Sequence, residues 1–545
     1  MTRVICIATL VTAILAQEPA PIFFEDITAK SGIHFLNVFG SAEKAAITDV
    51  NGNGAAFLDY DRDGLVDLYL VNGARKGNET TGNALYRNMG NGVFTDVTDK
   101  AGVRNLRWNL GVAAADYDND GWTDLYITSY GRNTLYRNTG NGAFTDVTER
   151  AGVAKTGYSA GAAFGDYDRD GWLDLFVTNY IEYDPASSSA KGKGCSYKGI
   201  AVFCGPGGFK GGDNVLYRNN HDGTFSDATK AAGVEAREPH YSFTALFEDF
   251  DADGWPDLFV ANDSTPNYLY KNLGGGRFKE IGLESGVALS EDGRAQASMG
   301  AAVGDYNNDG RPDIFVTNFS DDVSNLYRNE GNMIFTDQVH PSGLGRASIP
   351  MLKWGALLED FDNDGMKDVF VANGHIYPEV DKHPVNTTYR QWLQLFRNVG
   401  NRFVELGPSS GIRAPGPLSA RSAIAADINN DGGLDVLVTQ IDGPPVLFGN
   451  RSKRGNWVIF DLEGRTSNRS AVGARIHVRA GNADQWSSVR SGGSYISQND
   501  LRVHFGLGAA AIIDVVDIVW PSGATTRREA IEVNKVIKLD EKNQP

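Results

Sequence analysis

A chain of 545 residues with 41% apolar side chains can bury more than one core, and its 64 glycines suit a fold built on many tight turns. A formal charge of -17 excludes the basic face that nucleic acid requires. Beyond the N-terminal stretch, no segment is long and apolar enough to cross a bilayer.

The chain starts MTRVICIATLVTAILAQEPA, with Arg3, an apolar run from Val4 to Ala16, and small residues at a cleavage point. That run is too short for a membrane span and reads as a secretory signal over residues 1–17, cut near Ala16. Export to an extracellular or periplasmic compartment follows. Cleavage removes Cys6 and leaves Cys195 and Cys204, and a disulfide is the expected state of such a pair under oxidising conditions.

Next comes an aspartate-rich loop, D-x-[DN]-x-D-G-x-x-D, in seven copies beginning at Asp59, Asp116, Asp166, Asp249, Asp305, Asp360 and Asp427. Oxygen donors at alternate positions, a glycine for the turn and a late carboxylate make a calcium loop. The third-position donors are Asp61, Asp118, Asp168, Asp251, Asn307, Asp362 and Asn429. At the fifth stand Asp63, Asp120, Asp170, Asp253, Asp309, Asp364 and Asp431, and at the ninth Asp67, Asp124, Asp174, Asp257, Asp313, Asp368 and Asp435. A backbone carbonyl at the seventh position, Leu65 in the first copy, completes the wrap, and up to seven Ca2+ are expected. Asn307 and Asn429 should weaken their sites by one charge each. These positions hold 26 of the 68 acidic side chains, so seven bound Ca2+ would bring the net charge to about -3. An EF-hand is excluded, because apolar residues such as Leu70, Ile127 and Val177 stand where its last glutamate would be.

Each loop is followed by a short β-branched and aromatic run (LYLVN, LYITS, LFVTN and their kin), and a four-strand unit recurs around it. In the second copy the strands read GVAAAD, DLYITS, NTLYRN and GAFTDVT. A spacing of about 50 to 57 residues belongs to propeller repeats, and small residues in the first strand suit crowding near an axis. The fold class is therefore all-β: a seven-bladed Ca2+-binding propeller over residues 18–450. Its seventh unit ends at Asn450 without an outer strand, and the run from Phe24 to Thr28 resembles FTDVT, so the N-terminus should close the ring.

Residues 451–545 lack aspartate loops and carry about seven short alternating runs, from NWVIFDL to VIKLD, which indicates a small β-sandwich. As a separate domain it should melt apart from the propeller.

The loops in their GDYDRDGWLDLFVTN context resemble the FG-GAP or VCBS repeats of integrin α-chain propellers. The tail, with NRSAVGARIHV, GGSYISQNDLRVHFGLG and VDIVWPSG, resembles the ASPIC/UnbV domain. Together these cover essentially the whole mature chain and resemble the cartilage acidic protein family and its bacterial relatives. The resemblance implies a secreted calcium-binding protein of adhesion or matrix type.

Repeats this alike offer no asymmetric catalytic cluster, so a scaffold recognising an extracellular protein or glycan is the first reading. The alternative is an enzyme or biosynthetic accessory protein, polysaccharide- or natural-product-related, with its site in the insertions. Its candidates are Tyr183, Asp184, Lys193 and Lys198, and His375, Tyr377, Glu379, Asp381 and His383. Strand parity puts the departures from the repeat (180–213, 374–391, 283–298 and 340–353) on the face opposite the aspartate loops. Partner contacts are expected there through Tyr197, Phe203, His375 and Tyr377.

Overall fold

The computed structural model describes residues 22–74, 82–184, 193–236 and 238–542. The signal-peptide reading falls outside them. In the first repeat, strands Ala55–Leu58, Asp67–Leu70, Ala84–Asn88 and Phe94–Asp96 form one antiparallel sheet in chain order. The aspartate loop is the turn between the first two strands. Each later loop opens a unit of the same kind, and the second and third units are joined where Thr156–Tyr158 pair with Tyr130–Arg132. After the outer strand a four-residue helix such as Thr98–Ala101 stops at a glycine in the left-handed region, Gly102 with φ 74°. The seventh unit supplies Ala420–Ala426, Asp435–Gln440 and Val446–Asn450. Its fourth strand is Phe24–Asp26, with Phe24 opposite Asn450 and Asp26 opposite Phe448.

Contacts pass from each unit to the next by one repeated device. The asparagine ending the third strand donates its amide to a loop carbonyl of the preceding unit: Asn138 to Tyr60, Asn219 to Tyr117, Asn272 to Tyr167, Asn329 to Phe250, Asn398 to Tyr306 and Asn450 to Phe361, all 2.8–2.9 Å. Asn88 of the first unit reaches Ile428 of the seventh, also at 2.8 Å. The series closes on itself. A second stitch agrees, since Thr439 of the seventh unit donates to the Asn53 carbonyl just before the first.

The tail is a two-sheet sandwich. Strands Val503–Gly508, Asn456–Glu463 and Lys535–Asp540 make one sheet, and Ala483–Ser488, Arg475–Ala480, Ile512–Val519 and Thr525–Glu532 the other. It is not separate from the repeats. One apolar core runs from Phe164, Leu175 and Tyr217 through Val458, Phe460, Ile476 and Trp520.

Residues 491–498 of the tail also touch the innermost strands of all seven units. Gln498 exchanges backbone hydrogen bonds with Ala55 and Phe57, Val112 donates to the Ile496 carbonyl, and Ala301 donates to that of Ser494. Phe164 donates to Ser491, Ile496 to Thr244, and Ser494 to the Ala423 carbonyl, while the Tyr495 ring packs edge-on 4.9 Å from Trp354. The segment is an axial plug.

The neighbouring first strand and the plug together explain the small residues of the innermost strands. At Gly300 a Cβ would lie 2.0 Å from the Trp354 carbonyl oxygen and 2.8 Å from that of Ser494, both backbone atoms. Gly300→Ala is therefore expected to cost at least about 1–3 kcal/mol by overpacking. Urea denaturation checks this, and an unchanged midpoint would show that the crowding relaxes.

Candidate functional site

Each aspartate loop is organised by its own carboxylates. In the first, Asp59 accepts from the backbone N–H of Asp63 and Gly64 at 3.1 and 2.9 Å, and Asp63 accepts from Leu65. Asp67 accepts from Tyr60 and, across the sheet, from the N–H of Asn88 at 2.7 Å. Gly64, at φ 86°, makes the turn that allows this wrap.

In five loops one oxygen from each of the first, third and ninth positions lies within 4.8 Å of the others: Asp59, Asp61 and Asp67; Asp116, Asp118 and Asp124; Asp166, Asp168 and Asp174; Asp249, Asp251 and Asp257; Asp360, Asp362 and Asp368. Burial raises the carboxyls, Asp59 to about 6, Asp116 and Asp166 to about 7, Asp67 to about 8. Asp124, Asp174, Asp257 and Asp368 are pushed well above the carboxylate range by burial first and neighbouring aspartates besides.

Three such groups cannot all ionise so close together without a counter-charge. Moreover, the Oδ1 atoms of Asp61, Asp168, Asp251 and Asp362 are buried with no hydrogen-bond partner. Crowded carboxylates and an orphaned inner oxygen fit a hard cation with oxygen ligands, as Ca2+ is. The fifth-position aspartates lie outside the tight groups, and the loops at Asp305 and Asp427 have Asn307 and Asn429 in place of the third carboxylate.

The tail domain packs on the loop face. Asp116 N–H donates to Ser470, Arg169 to the Pro521 carbonyl and Arg502 to the Asp427 carbonyl, and Arg475 pairs with Asp249 at 3.6 Å. On the opposite face, where second strands end and first strands begin, lies a cavity of about 470 Å³. Rings of Tyr180, Tyr197, Phe243, Phe319, Trp354 and Tyr377 line it, together with Asp263, Gln296, Ser320 and Asp321. Cys195 and Cys204 are disulfide-bonded and tie a hairpin, Lys193–Tyr197 with Ile200–Phe203, beside this cavity. Tyr197 at its tip donates to Asp321 at 2.8 Å, and Lys198 pairs with Asp321 at 2.7 Å.

A family model described as FG-GAP-like repeat matches residues 59–127, 116–177, 249–316, 305–371 and 360–438, spans that include all seven loops. The chain belongs to the FG-GAP-like repeat family. A second model, ASPIC and UnbV, matches residues 464–545. Cartilage acidic protein 1 of Homo sapiens and of Mus musculus are each 26% identical over 294 residues, 52% of this chain and 42% of theirs. The chain thus matches less than half the length of these relatives. Solved structures with some likeness include an Agrocybe aegerita lectin described as recognising non-reducing terminal N-acetylglucosamine (17% identical, 65% of this chain and 79% of that one, TM-score 0.38). Another is the BP39L lectin from Burkholderia pseudomallei (10% identical, 74% and 96%, TM-score 0.43).

Within this FG-GAP framework described residues of the 180–213, 283–298 and 374–391 departures, among them Tyr180, Tyr197, Gln296 and Tyr377, meet at this cavity, while the expected contact residues differ in exposure. Phe203, His375 and Tyr377 are buried, and only Tyr197 of the four is partly exposed. The hairpin folds down onto the second-strand ends, so Tyr197, Phe203, Phe319, His375 and Tyr377 pack as one ring cluster. Burial lowers His375 to about 3, leaving it neutral, with Nδ1 accepting from the Tyr377 N–H. Tyr377 still lines the cavity. Among the described catalytic candidates, Lys198 is held by Asp321, Tyr183 packs on Tyr130 and Phe209, and Asp381 and His383 are exposed while His375 is buried. What the sequence reading missed is the inter-unit asparagine and the plug. The asparagine was visible as the last letter of LYRN, LYKN, LFRN and LFGN.

Proposed function

We propose that the protein is a secreted recognition scaffold: a seven-bladed propeller over residues 18–450, stapled by up to seven Ca2+, that binds an extracellular protein or glycan on the face opposite its calcium loops. In this reading residues 1–17 are the signal and residues 451–545 the tail domain. Each ion would be held by side chains at the first, third, fifth and ninth loop positions and by the carbonyl at the seventh. The observation that carries the proposal is the ring-lined cavity of about 470 Å³ on the face the tail leaves open. Its volume and its mix of aromatic walls with a few polar groups suit a ligand, whereas the loop face is taken up by the tail.

The test is a glycan array and a pull-down with calcium-loaded protein. Tyr197→Ala is expected to weaken capture at least about tenfold, as loss of an aromatic anchor does, with calcium stoichiometry unchanged. Asn141→Ala, in a third-to-fourth turn on the calcium side, should have little effect. A ligand footprint confined to the loop side would refute the assignment.

A further inference from the structure

We infer that a cation on the third strand of five repeats is a positioning residue for the loop carboxylates, and that it divides the seven loops into two classes. The inference rests on the proposed reading of the loops as calcium sites.

Wherever the third loop position is aspartate, the residue before the inter-unit asparagine reaches back to the loop. Arg87 donates to Asp61 and Asp63 at 2.5 and 2.8 Å, Arg218 to Asp168 and Asp170 at 2.6 and 3.0 Å, and Arg397 to Asp362 and Asp364 at 2.7 and 2.8 Å. Arg137 clasps Asp118 and Asp120, and Lys271 clasps Asp251 and Asp253, in the same way. In every case the clasp takes Oδ2 of both aspartates. With Oδ2 fixed, the carboxylate cannot turn, and the partnerless Oδ1 of Asp61, Asp168, Asp251 and Asp362 stays directed at the first and ninth carboxylates.

The two asparagine loops are wired differently. Asn307 donates its amide to Asp309 Oδ2 at 3.0 Å and accepts from the Asp309 N–H at 3.2 Å, and Asn429 does the same with Asp431 at 3.1 and 3.2 Å. The amide shares the fifth carboxylate with a cation from outside the third strand, Arg311 on Asp309 at 2.5 Å and Arg454 on Asp431 at 2.9 Å, so no cation there fixes the third-position side chain. The asparagine oxygen is already engaged by a backbone N–H, as among the clasped loops is only Asp118 Oδ1, at 3.4 Å. Arg328, at the clasp position of the fifth repeat, turns instead to Glu330, and the seventh repeat has Gly449 there.

Calcium affinity follows the number of ligand charges and the rigidity of the site, and partners that orient metal ligands are typically worth about 10–100-fold in affinity. Both factors favour the clasped loops. The positive charge of the clasp acts the other way, so the sign of its removal separates positioning from plain electrostatics.

The experiment is calorimetric titration of the decalcified full chain with calcium alone. Two classes in a ratio of five to two are expected. Arg137→Met should weaken one tight site by about tenfold, Arg137→Lys should restore part of the loss, and Arg328→Met should change nothing. Asn307→Asp should give Arg328 a loop partner and move the ratio to six to one. Arg218→Met, at a side chain 46% exposed, repeats the test at a second loop where folding is not at stake. Seven equivalent sites, tighter binding in Arg137→Met, or equal effects of Arg137→Met and Arg328→Met would overturn the inference. No calcium heat at all would instead overturn the calcium reading beneath it.

Discussion

Stripping calcium is expected to lower the melting temperature of the whole chain by about 12 °C while leaving one transition rather than two. The loops are part of the wiring between repeats. Asp67 holds the N–H of Asn88, and the side chain of Asn88 reaches the Ile428 carbonyl in the seventh unit. The same pair of bonds recurs at Asp435 and Asn450, which reaches Phe361. A loop that opens therefore loosens the contact between its unit and the preceding one. For an affinity of about 10⁻⁴ M and about 2 mM calcium, each site contributes about 1.8 kcal/mol. Seven sites give about 13 kcal/mol, and with an unfolding entropy of about 1.1 kcal/mol/K for a chain of this size the shift is about 12 °C. The tail should not survive the ring, because its plug contacts all seven innermost strands and its core continues into the repeats.

The pH dependence should reverse with the metal. Without calcium, Asp59, Asp116, Asp166 and Asp67 have folded-state pKa values raised by burial to about 6, 7, 7 and 8. A raised carboxyl contributes stability that is full below its unfolded value and lost as pH climbs through the folded one. In chelator, melting should therefore fall from pH 5 to pH 8. With calcium bound, ligation holds the same groups ionised, so protons compete with the metal and melting should rise over that interval. Calorimetric melts at the two ends of the range, with and without chelator, measure both slopes. Equal melting in calcium and chelator would refute the staple.

The repeat was legible because each loop carries its geometry locally: alternate donors, a glycine at positive φ and a strand immediately after. The closing strand was legible for the same reason, as Phe24 to Thr28 copies a segment whose partners are known from the other repeats. The plug was not. GGSYISQ has no periodicity of its own, and its hydrogen bonds to the innermost strands reach far along the chain, from Ala55 and Phe57 through Val112, Thr244 and Ala301 to Ala423, the last 71 positions away. The burial of His375 was hidden in a similar way. A histidine in a glycine- and proline-bounded loop reads as exposed, and only the disulfide hairpin, arriving from three repeats earlier, places Tyr197 over it.

Removal of residues 22–33 should be the most damaging short deletion outside the plug. Phe24 is the anchor: its ring meets Phe361, Phe370 and Phe448 edge-on at 5.5, 6.4 and 6.3 Å, and its backbone pairs with Asn450. Ile22, Ile27 and Ile33 are buried on the same segment. Phe24→Ala alone is expected to cost about 3–5 kcal/mol by the cavity it leaves among those rings. The deletion adds three more buried side chains at about 2–5 kcal/mol each, so the total approaches the whole contribution of calcium. It also bares the N–H and C=O groups of Val446–Asn450, an apolar edge open to pairing with another chain. Loss of cooperative melting and concentration-dependent aggregation are the expected readouts, by calorimetry and light scattering. Calcium should not rescue the truncated protein, because Asp435 still holds the Asn450 N–H and the loop itself is intact. A truncated chain with the melting curve of the full one would show that the seventh unit does not depend on the N-terminal strand.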